Sequence, residues 1–298
     1  MKVNEISYQK ALDSFYLLAT IEGKSRNTIE LYEYVLKSFK SFLEKKNPVQ
    51  ATSNDIRLYM LYLNDKKYKK STIGTHLKEL RVFYNFLLAE GHIEISPVNG
   101  IKSPKLPRYY PFVLSEEEVE SLIKAVRGKS FEAKRNYAIL LFLIDTGVRV
   151  SELTNLELDD VNMATYTAKV NGKTGERTVH FGKSSAKALS AYMRVRGFLP
   201  HETRFIVSSV GEPLGRHSIL RMVKRLGEKA GIANKRVSPH TLRHTCATFW
   251  IKNGGDPVSL QRQLGQSDPR MIDVYVNLVG RDLAEAHRKY SPLKRLIK

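Results

Sequence analysis

The sequence has little that would indicate an exported, membrane-embedded or metal-stabilised protein. Its 298 residues include one cysteine, Cys246, which excludes an intramolecular disulfide and fits a reducing compartment. The longest apolar run, residues 137–144, is far shorter than the roughly 20 residues of a membrane-spanning helix. Residues 1–10 lack the apolar segment of a signal peptide, and no metal-ligand spacing occurs. We therefore expect a soluble cytoplasmic protein that does not associate with a membrane, and we find no sequence pattern that indicates a metal site.

Acidic residues are scarce relative to basic ones. The chain has 49 Lys and Arg against 30 Asp and Glu, which gives a net charge of +19. Residues 1–107 contain 17 basic and 11 acidic residues, and residues 108–298 contain 32 and 19. Because both halves share the excess, the charge favours an extended groove along nucleic acid over a basic tail. A merely basic, solvated surface is the alternative.

The first part of the chain has the periodicity of a small all-α domain. Apolar residues recur at helical spacing over 5–20, 26–46, 53–64 and 71–90, which predicts four helices within a domain spanning residues 1–99. Basic residues at or near the third and fourth helices are candidate phosphate contacts, although such residues often form only a solvated face. These candidates are Arg57, Lys69, Lys70, Lys78 and Arg81.

A basic, proline-rich stretch separates this domain from the rest. Four prolines within residues 96–111 exclude a continuous helix, so we place a linker at 100–111 and a second domain at 112–298. Ser115 and Glu118 have capping-box spacing at the start of that domain. A helix over 131–145, a short helix after Gly147, strands within 165–182 and helices thereafter predict a mainly helical α+β domain with a small sheet.

Two segments place arginines at helix N-termini. Arg149 follows Gly147, where one helix ends and the next begins, so its guanidinium and nearby backbone amides could bind a phosphate. Pairing with Glu152 on the surface is the alternative. In "SPHTLRH", residues 238–244, His240 and Arg243 lie three residues apart in a first helical turn and could share one anion site. We expect His244 to lie on another face and to be structural.

A hairpin carries a third candidate. The residues on either side of "NGKTG" favour strands, which predicts a turn at 171–175 with Lys173 near its tip. Lys173 could donate a proton in a bound site or could be an ordinary turn lysine. The letters "GKT" do not form a phosphate-binding P-loop, because that motif needs a glycine where Thr167 stands and a helix afterwards.

The last candidate lies between two helix starts. Asp256 and Pro257 begin one helix, which Gly265 ends, and Asp268 with Pro269 begins another. Tyr275 flanks the apolar stripe of that second helix. Spacing alone favours a half-buried aromatic residue over a nucleophile.

Taken in order, "TGVRVSEL", "VNGKTGERTV", "SPHTLRHTCAT", "LGQSD" and "VYV" resemble the catalytic domain of tyrosine recombinases, in particular their Xer-like and phage or transposon integrase branches. The N-terminal helices and linker resemble that family's DNA-clamping core-binding domain. The resemblance implies a recombinase that cleaves and rejoins duplex DNA sites through a 3′-phosphotyrosyl intermediate and a Holliday junction, and that needs neither a metal nor another cofactor. It also implies assembly on DNA as a homotetramer, or as a heterotetramer with a second recombinase.

The resemblance also implies roles for individual residues. Arg149 and Arg243 would bind the scissile phosphate, and His240 would assist proton transfer at the tyrosine hydroxyl and stabilise the phosphorane. Lys173 would protonate the leaving 5′-oxygen, and Tyr275 would be the nucleophile. The C-terminal tail would dock on a neighbouring protomer, and the protein would act at the nucleoid.

Gln266 departs from the family, which usually has histidine, sometimes tryptophan, at this position of "LGQSD". Glutamine keeps a neutral N–H donor but cannot become cationic. A non-catalytic DNA-binding protein with the same fold therefore stays open as an alternative. An enzyme resembling a type IB topoisomerase is a further alternative, because it shares the same set of catalytic residues.

Overall fold

The fold consists mainly of helices arranged in two compact units. The computed structural model describes residues 6–106, 110–172, 175–266, 270–280, 287 and 291. The units comprise residues 1–109 and 110–298. Within the described ranges, the helices are accompanied by a three-stranded sheet, which confirms the predicted mainly helical α+β class. None of the described helices combines the length and apolar character of a membrane span.

The first unit contains the four predicted helices, with small shifts at their ends. They are α1 (Tyr8–Ile21), α2 (Arg26–Leu43), α3 (Ser53–Asp65) and α4 (Lys70–Ala89), with a short 3-10 helix at Pro48–Gln50 between α2 and α3. Ser7, Ser25 and Thr52 cap the first three helices through side-chain oxygens, which satisfies amides that the helices leave unpaired. A core rich in aromatic residues joins the helices: Phe15, Tyr32, Phe39, Tyr59, Phe83 and Tyr84.

The candidate phosphate contacts of this unit are not equivalent. Arg57, Lys69, Lys70 and Lys78 are exposed. Arg81 is half-buried and donates a hydrogen bond from Nη2 to the carbonyl oxygen of Ile101 at 3.0 Å. Arg81 therefore fastens the start of the linker to α4, and the four exposed residues are the better candidates for phosphate.

The second unit surrounds its sheet with eight helices in the described ranges. The helices are α5 (Glu116–Val126), α6 (Phe131–Thr146), α7 (Val150–Asn155), α8 (Lys183–Arg196), α9 (Arg216–Lys229), α10 (Pro239–Lys252), α11 (Pro257–Leu264) and α12 (Arg270–Val279). The antiparallel sheet has the order β1 (Val161–Asn162), β2 (Thr167–Gly172) and β3 (Gly175–His180). A small apolar cluster around Leu260 and Leu264 joins α10, α11 and α12, which fixes α12 beside α10.

Most of the predicted helix boundaries of this unit are confirmed. Ser115 and Glu118 form a capping box, Gly147 ends α6 in the left-handed region at φ 62°, and Ser238 and Asp256 cap α10 and α11. The predicted turn at 171–175 was too wide, because Gly172 already pairs with Gly175 in the β2–β3 ladder.

Several predicted features lie outside the described residues. They are Lys173, the Asp268–Pro269 helix start and most of the C-terminal tail.

Candidate active site

Three arginines converge on the C-terminal end of α11. Three consecutive backbone carbonyl oxygens, those of residues 263, 264 and 265, each accept a hydrogen bond from one guanidinium. Arg177 Nε donates to the first at 3.0 Å, Arg243 Nη2 to the second at 2.8 Å and Arg149 Nη2 to the third at 3.3 Å. The last carbonyls of a helix lack partners within the helix and carry partial negative charge. The end of α11 therefore holds three cations close together.

A buried carboxylate also binds this cluster. Glu152 has no exposed side-chain surface and accepts two bonds from Arg177, at 2.8 and 3.0 Å, and one from Arg149 Nη1 at 2.8 Å. It also caps α7 by accepting from the backbone N–H of Arg149 at 2.7 Å. Burial would raise the pKa of Glu152, but the hydrogen bonds from Arg177 and Arg149 outweigh it and hold the pKa below its ordinary value. Glu152 is therefore an anion that orients two of the three guanidinium groups.

Replacing Glu152 is expected to destabilise the second unit strongly. Glu152→Ala leaves two arginines without their shared anion, and removing one partner of a buried ion pair costs about 3–5 kcal/mol. Denaturant unfolding followed by the fluorescence of Trp250, the single tryptophan of the chain, reports on this unit. Glu157→Ala is the control, because its pair with Arg204 is longer, at 3.6 Å, and partly exposed, and is worth less than about 1 kcal/mol. Equal losses in both variants would show that Glu152 does not support the cluster.

Arg243 is the most deeply embedded of the predicted phosphate ligands. It is 3% exposed, and its Nη1 donates to the carbonyl oxygen of Gly147 at 2.6 Å. Burial and the charge of Arg149 lower its pKa to about 10, so the guanidinium stays protonated at neutral pH. A Cβ at position 147 would lie 2.6 Å from Leu264 Cδ2. Gly147 therefore allows the end of α6 to pack closely against the end of α11. Two of the five N–H groups of Arg243 therefore donate to backbone carbonyl oxygens, and the others can bind an anion.

The two histidines of α10 lie on the same face, which corrects the expectation that His244 points elsewhere. They are four residues apart, and their ring centroids lie 4.2 Å from each other. His240 is exposed, whereas His244 is 2% exposed. Partial desolvation and the charges of Arg243 and Arg149 lower the pKa of His240. This lowered pKa favours the neutral form of the His240 ring.

Tyr275 lies on α12 and contacts this histidine pair. Its hydroxyl lies 2.8 Å from His244 Nδ1, and its side chain is fully buried. The expectation of a half-buried aromatic was therefore wrong, because α12 packs Tyr275 into the apolar cluster with Leu260 and Leu264. This packing points a buried phenol at the imidazole of His244.

The pH dependence of stability tests the environment of His244. Burial, His240 and Arg243 lower its pKa to about 4, so the unfolded chain takes up a proton near pH 6.5 that the folded protein does not bind. Stability is then full above pH 6.5 and falls as the pH approaches 4. Between pH 7 and pH 5 we expect the native protein to lose about 2 kcal/mol more than His244→Asn, measured by Trp250 fluorescence during unfolding. Equal losses would contradict the lowered pKa.

Gln266 directly follows the end of α11. Its backbone N–H donates to Gln261 O at 3.2 Å, and Gln261 Nε2 donates back to Gln266 O at 3.1 Å. Its side-chain Oε1 is buried and forms no hydrogen bond with any residue in the described ranges. Gln266 therefore lies beside the arginine cluster, and its side-chain oxygen forms no hydrogen bond that stabilises the described part of the fold.

Four residues that organise this site were not predicted from the sequence. Glu152 was considered only as a surface partner of Arg149, whereas Arg177, Gln263 and His244 were not proposed as functional. Gln263 joins α11 to β3 by accepting from His180 N–H at 3.1 Å and donating to His180 O at 2.7 Å. The spacing of His240 and His244 could have indicated a shared face. Local sequence patterns could not have identified Arg177, because its hydrogen-bond partners Glu152 and Gln263 are 25 and 86 residues away.

This arrangement can bind and polarise a phosphate diester beside a phenol. Guanidinium groups match phosphate oxygens and remain charged, and neutral imidazoles can accept protons. In the parts of the chain that the structure describes, no cluster of three or more His, Cys, Asp or Glu residues is placed to hold a metal ion.

Comparison with known proteins agrees with both units. Residues 113–280 match the phage integrase family, and residues 12–92 match the N-terminal SAM-like domain of phage integrases. Tyrosine recombinase XerC of Thermodesulfovibrio yellowstonii is 30% identical, over 92% of this chain and 93% of that protein. Tyrosine recombinase XerD of Chlorobaculum tepidum is 32% identical, over 98% of this chain and 99% of that protein.

Solved structures share the fold. The crystal structure of XerA recombinase is 33% identical, with a TM-score of 0.54 over 95% of this chain and 99% of that one. A lambda integrase dimer bound to a COC′ core site has a TM-score of 0.76 at 20% identity, over 94% of this chain and 79% of that one. A lambda integrase tetramer bound to a Holliday junction has a TM-score of 0.75 at 20% identity, over 94% and 80%. The chain therefore belongs to the phage integrase family and is a tyrosine recombinase.

Proposed function

We propose that this recombinase cuts and rejoins specific duplex DNA sites through a covalent bond between Tyr275 and a 3′-phosphate. The observation that carries this proposal is the convergence of Arg149 and Arg243 at the end of α11, beside the helix that carries Tyr275. A phenol with a pKa near 10 is a poor nucleophile at neutral pH. Two guanidinium groups make its attack feasible by neutralising charge that develops on the phosphate in the transition state.

Each site residue then has a distinct role. Arg149 and Arg243 bind the non-bridging oxygens, His240 donates a hydrogen bond to the phosphorane, and Lys173 protonates the leaving 5′-oxygen. The Gln266 amide donates a further hydrogen bond to the phosphate. The phosphotyrosyl bond conserves the energy of the broken diester, so a 5′-hydroxyl can reverse the attack without a nucleotide cofactor.

The burial of Tyr275 adds a requirement to this proposal. A fully buried side chain cannot reach a phosphate in DNA. The surroundings of α12 must therefore rearrange when the site engages its substrate, so that the hydroxyl meets the phosphate held by Arg149 and Arg243.

The stoichiometry of the reaction defines the proposed assembly. Exchange between two duplexes breaks four strands, and each protomer supplies one tyrosine, so four protomers act together as a homotetramer or with a second recombinase.

We propose that both units contact the duplex, the first through its exposed Arg57, Lys69, Lys70 and Lys78. Such a substrate places the protein in the cytoplasm, at the nucleoid. Dimer resolution of chromosomes and movement of mobile elements are the processes that this chemistry serves.

The decisive experiment traps the covalent intermediate. Binding sites are first selected with the full chain from a random duplex pool, and the selected duplexes are then nicked beside the expected cleavage position so that religation is lost. We expect a covalent adduct that survives denaturation. Specific binding without any adduct would instead support a non-catalytic DNA-binding protein. Relaxation of supercoiled DNA lacking a selected site would support the topoisomerase alternative.

Gln266→His is expected to cleave as fast as the native protein or faster. Either side chain supplies an N–H donor to the phosphate, and histidine can add a positive charge. Gln266→Ala, which supplies no donor, should cleave about 10²-fold more slowly. The measurement is the rate of adduct formation on the nicked duplex. A large loss in Gln266→His would show that the site requires the glutamine amide itself.

A further inference from the structure

We propose that His244, through Nδ1, accepts the hydroxyl proton of Tyr275 as the tyrosyl oxygen attacks the phosphate. This inference rests on the proposed function and deepens it, because it gives the proton of the nucleophile to the second histidine of α10 and leaves His240 to the phosphate. His244 would thus be a catalytic residue that contacts a reacting atom.

The geometry carries the inference, with the condition that the rearrangement around α12 admits the phosphate while Tyr275 stays against His244. Tyr275 Oη and His244 Nδ1 lie 2.8 Å apart, within the range required for direct proton transfer, and both side chains are buried. His240 is exposed and has its ring stacked edge-on against that of His244. The His240 ring is therefore the more accessible of the two, and the buried His244 ring contacts the phenol.

The surroundings of His244 keep it available as a base. Among the residues that the structure describes, the ionisable groups facing it include His240 and Arg243 on its own helix and Tyr275 on α12. Burial and the two groups of α10 lower its pKa to about 4, so its ring is neutral throughout the physiological range and one nitrogen can accept a proton. A bound phosphate would neutralise the same cations, and the basicity of His244 should rise when substrate is present.

The step balances without any further reagent. During cleavage the Oη–P bond forms, the bond between phosphorus and the 5′-oxygen breaks, and the Oη proton passes to His244 Nδ1. The 5′-oxygen takes a proton from Lys173, the acid in the proposed function. During rejoining the 5′-hydroxyl attacks phosphorus, the P–Oη bond breaks, His244 returns its proton to Oη, and Lys173 recovers its own.

The test compares pH profiles of single-turnover adduct formation on the nicked duplex. In His244→Asn, the amide oxygen can still accept the hydrogen bond near the position of Nδ1 but cannot take the proton. The native rate should be nearly flat from pH 6 to 9. His244→Asn should be about 10²- to 10⁴-fold slower at pH 7, and its rate should rise roughly tenfold per pH unit as tyrosinate forms. His244→Gln is the second variant if His244→Asn does not fold.

His240→Asn is the matched control. It should slow cleavage at every pH while keeping the flat profile, because it loses a phosphate contact and not the base. Retained binding to the selected duplex verifies the fold of each variant. The inference is overturned if His244→Asn keeps a flat profile within about threefold of the native rate, or if the sloped profile occurs in His240→Asn instead.

A second measurement does not depend on cleavage. Nitrogen NMR of protein labelled in histidine should show His244 with an unprotonated Nδ1, and Tyr275→Phe should shift that resonance. A protonated Nδ1 would overturn the base role, even if cleavage proceeds. Absence of any adduct with the native protein would overturn the proposed function and the base role with it, whereas a fast, flat His244→Asn profile would overturn only the base role.

Discussion

Tyr275→Phe should abolish the covalent protein–DNA adduct while leaving specific DNA binding intact. The substitution removes the only oxygen of this side chain and preserves its apolar contacts with Leu260 and Leu264. Loss of the hydrogen bond to His244 should cost about 1 kcal/mol, too little to unfold the domain. The measurement is adduct formation on the nicked duplex, together with a binding titration on the same duplex.

Tyr192→Phe is the matched control for that prediction. Tyr192 is a fully buried tyrosine of the same unit, and its hydroxyl accepts a hydrogen bond from the backbone N–H of Val207 at 3.0 Å. Its replacement should cost a similar amount of stability and leave adduct formation unchanged. Adduct formation by Tyr275→Phe at a rate near that of the native protein would mean that another residue is the nucleophile.

Arg243→Ala should reduce the rate of adduct formation by about 10³-fold or more. Removing a single preorganised donor to a developing oxyanion costs about 10²- to 10³-fold, and arginines that stabilise phosphoryl transfer contribute about 10³- to 10⁵-fold. Arg243→Lys should recover only part of the loss. Its ammonium has three donors and lacks the planar fork that reaches Gly147 O, Leu264 O and a phosphate together.

Arg196→Ala separates this effect from a loss of stability. Arg196 is also a buried arginine that holds backbone carbonyls, those of Gly197, Glu202 and Arg204. Arg196 is the last residue of α8, and these bonds join it to the segment that follows α8, not to the end of α11. We expect Arg196→Ala to lose stability and keep cleavage. If Arg243→Ala cleaves within tenfold of the native rate, Arg243 does not bind the scissile phosphate.

The sequence predicted those parts of the fold whose causes are local. Apolar periodicity located the helices, and Ser115, Ser238 and Asp256 marked helix starts because a cap needs only a side-chain oxygen near its own first turn. Gly147 marked the end of α6 for an equally local reason, because glycine readily adopts the left-handed conformation of a helix C-cap. The sequence also located the hairpin, but the predicted turn at 171–175 included Gly172 and Gly175, which pair in the ladder.

The site was only partly predictable because its supports are distant in sequence. Arg149, His240 and Arg243 occur in recognisable helix starts, whereas the convergence of three guanidinium groups on α11 depends on tertiary packing. Glu152 was considered as a surface partner and is instead a buried anion shared by two arginines. The contact between His244 and Tyr275 depends on the packing of α12 against α10, which local sequence patterns do not show.

The identity of the amino acid that binds DNA tests the central claim most directly. The trapped adduct from the native protein is digested with trypsin, and the peptide linked to DNA is identified by mass spectrometry. Cleavage after Arg270 and Arg281 releases a peptide over 271–281 in which Tyr275 is the single tyrosine. We predict that this peptide carries the 3′-phosphate of the cleaved strand on Tyr275. Attachment to any other peptide, or to a 5′-phosphate, would contradict the account.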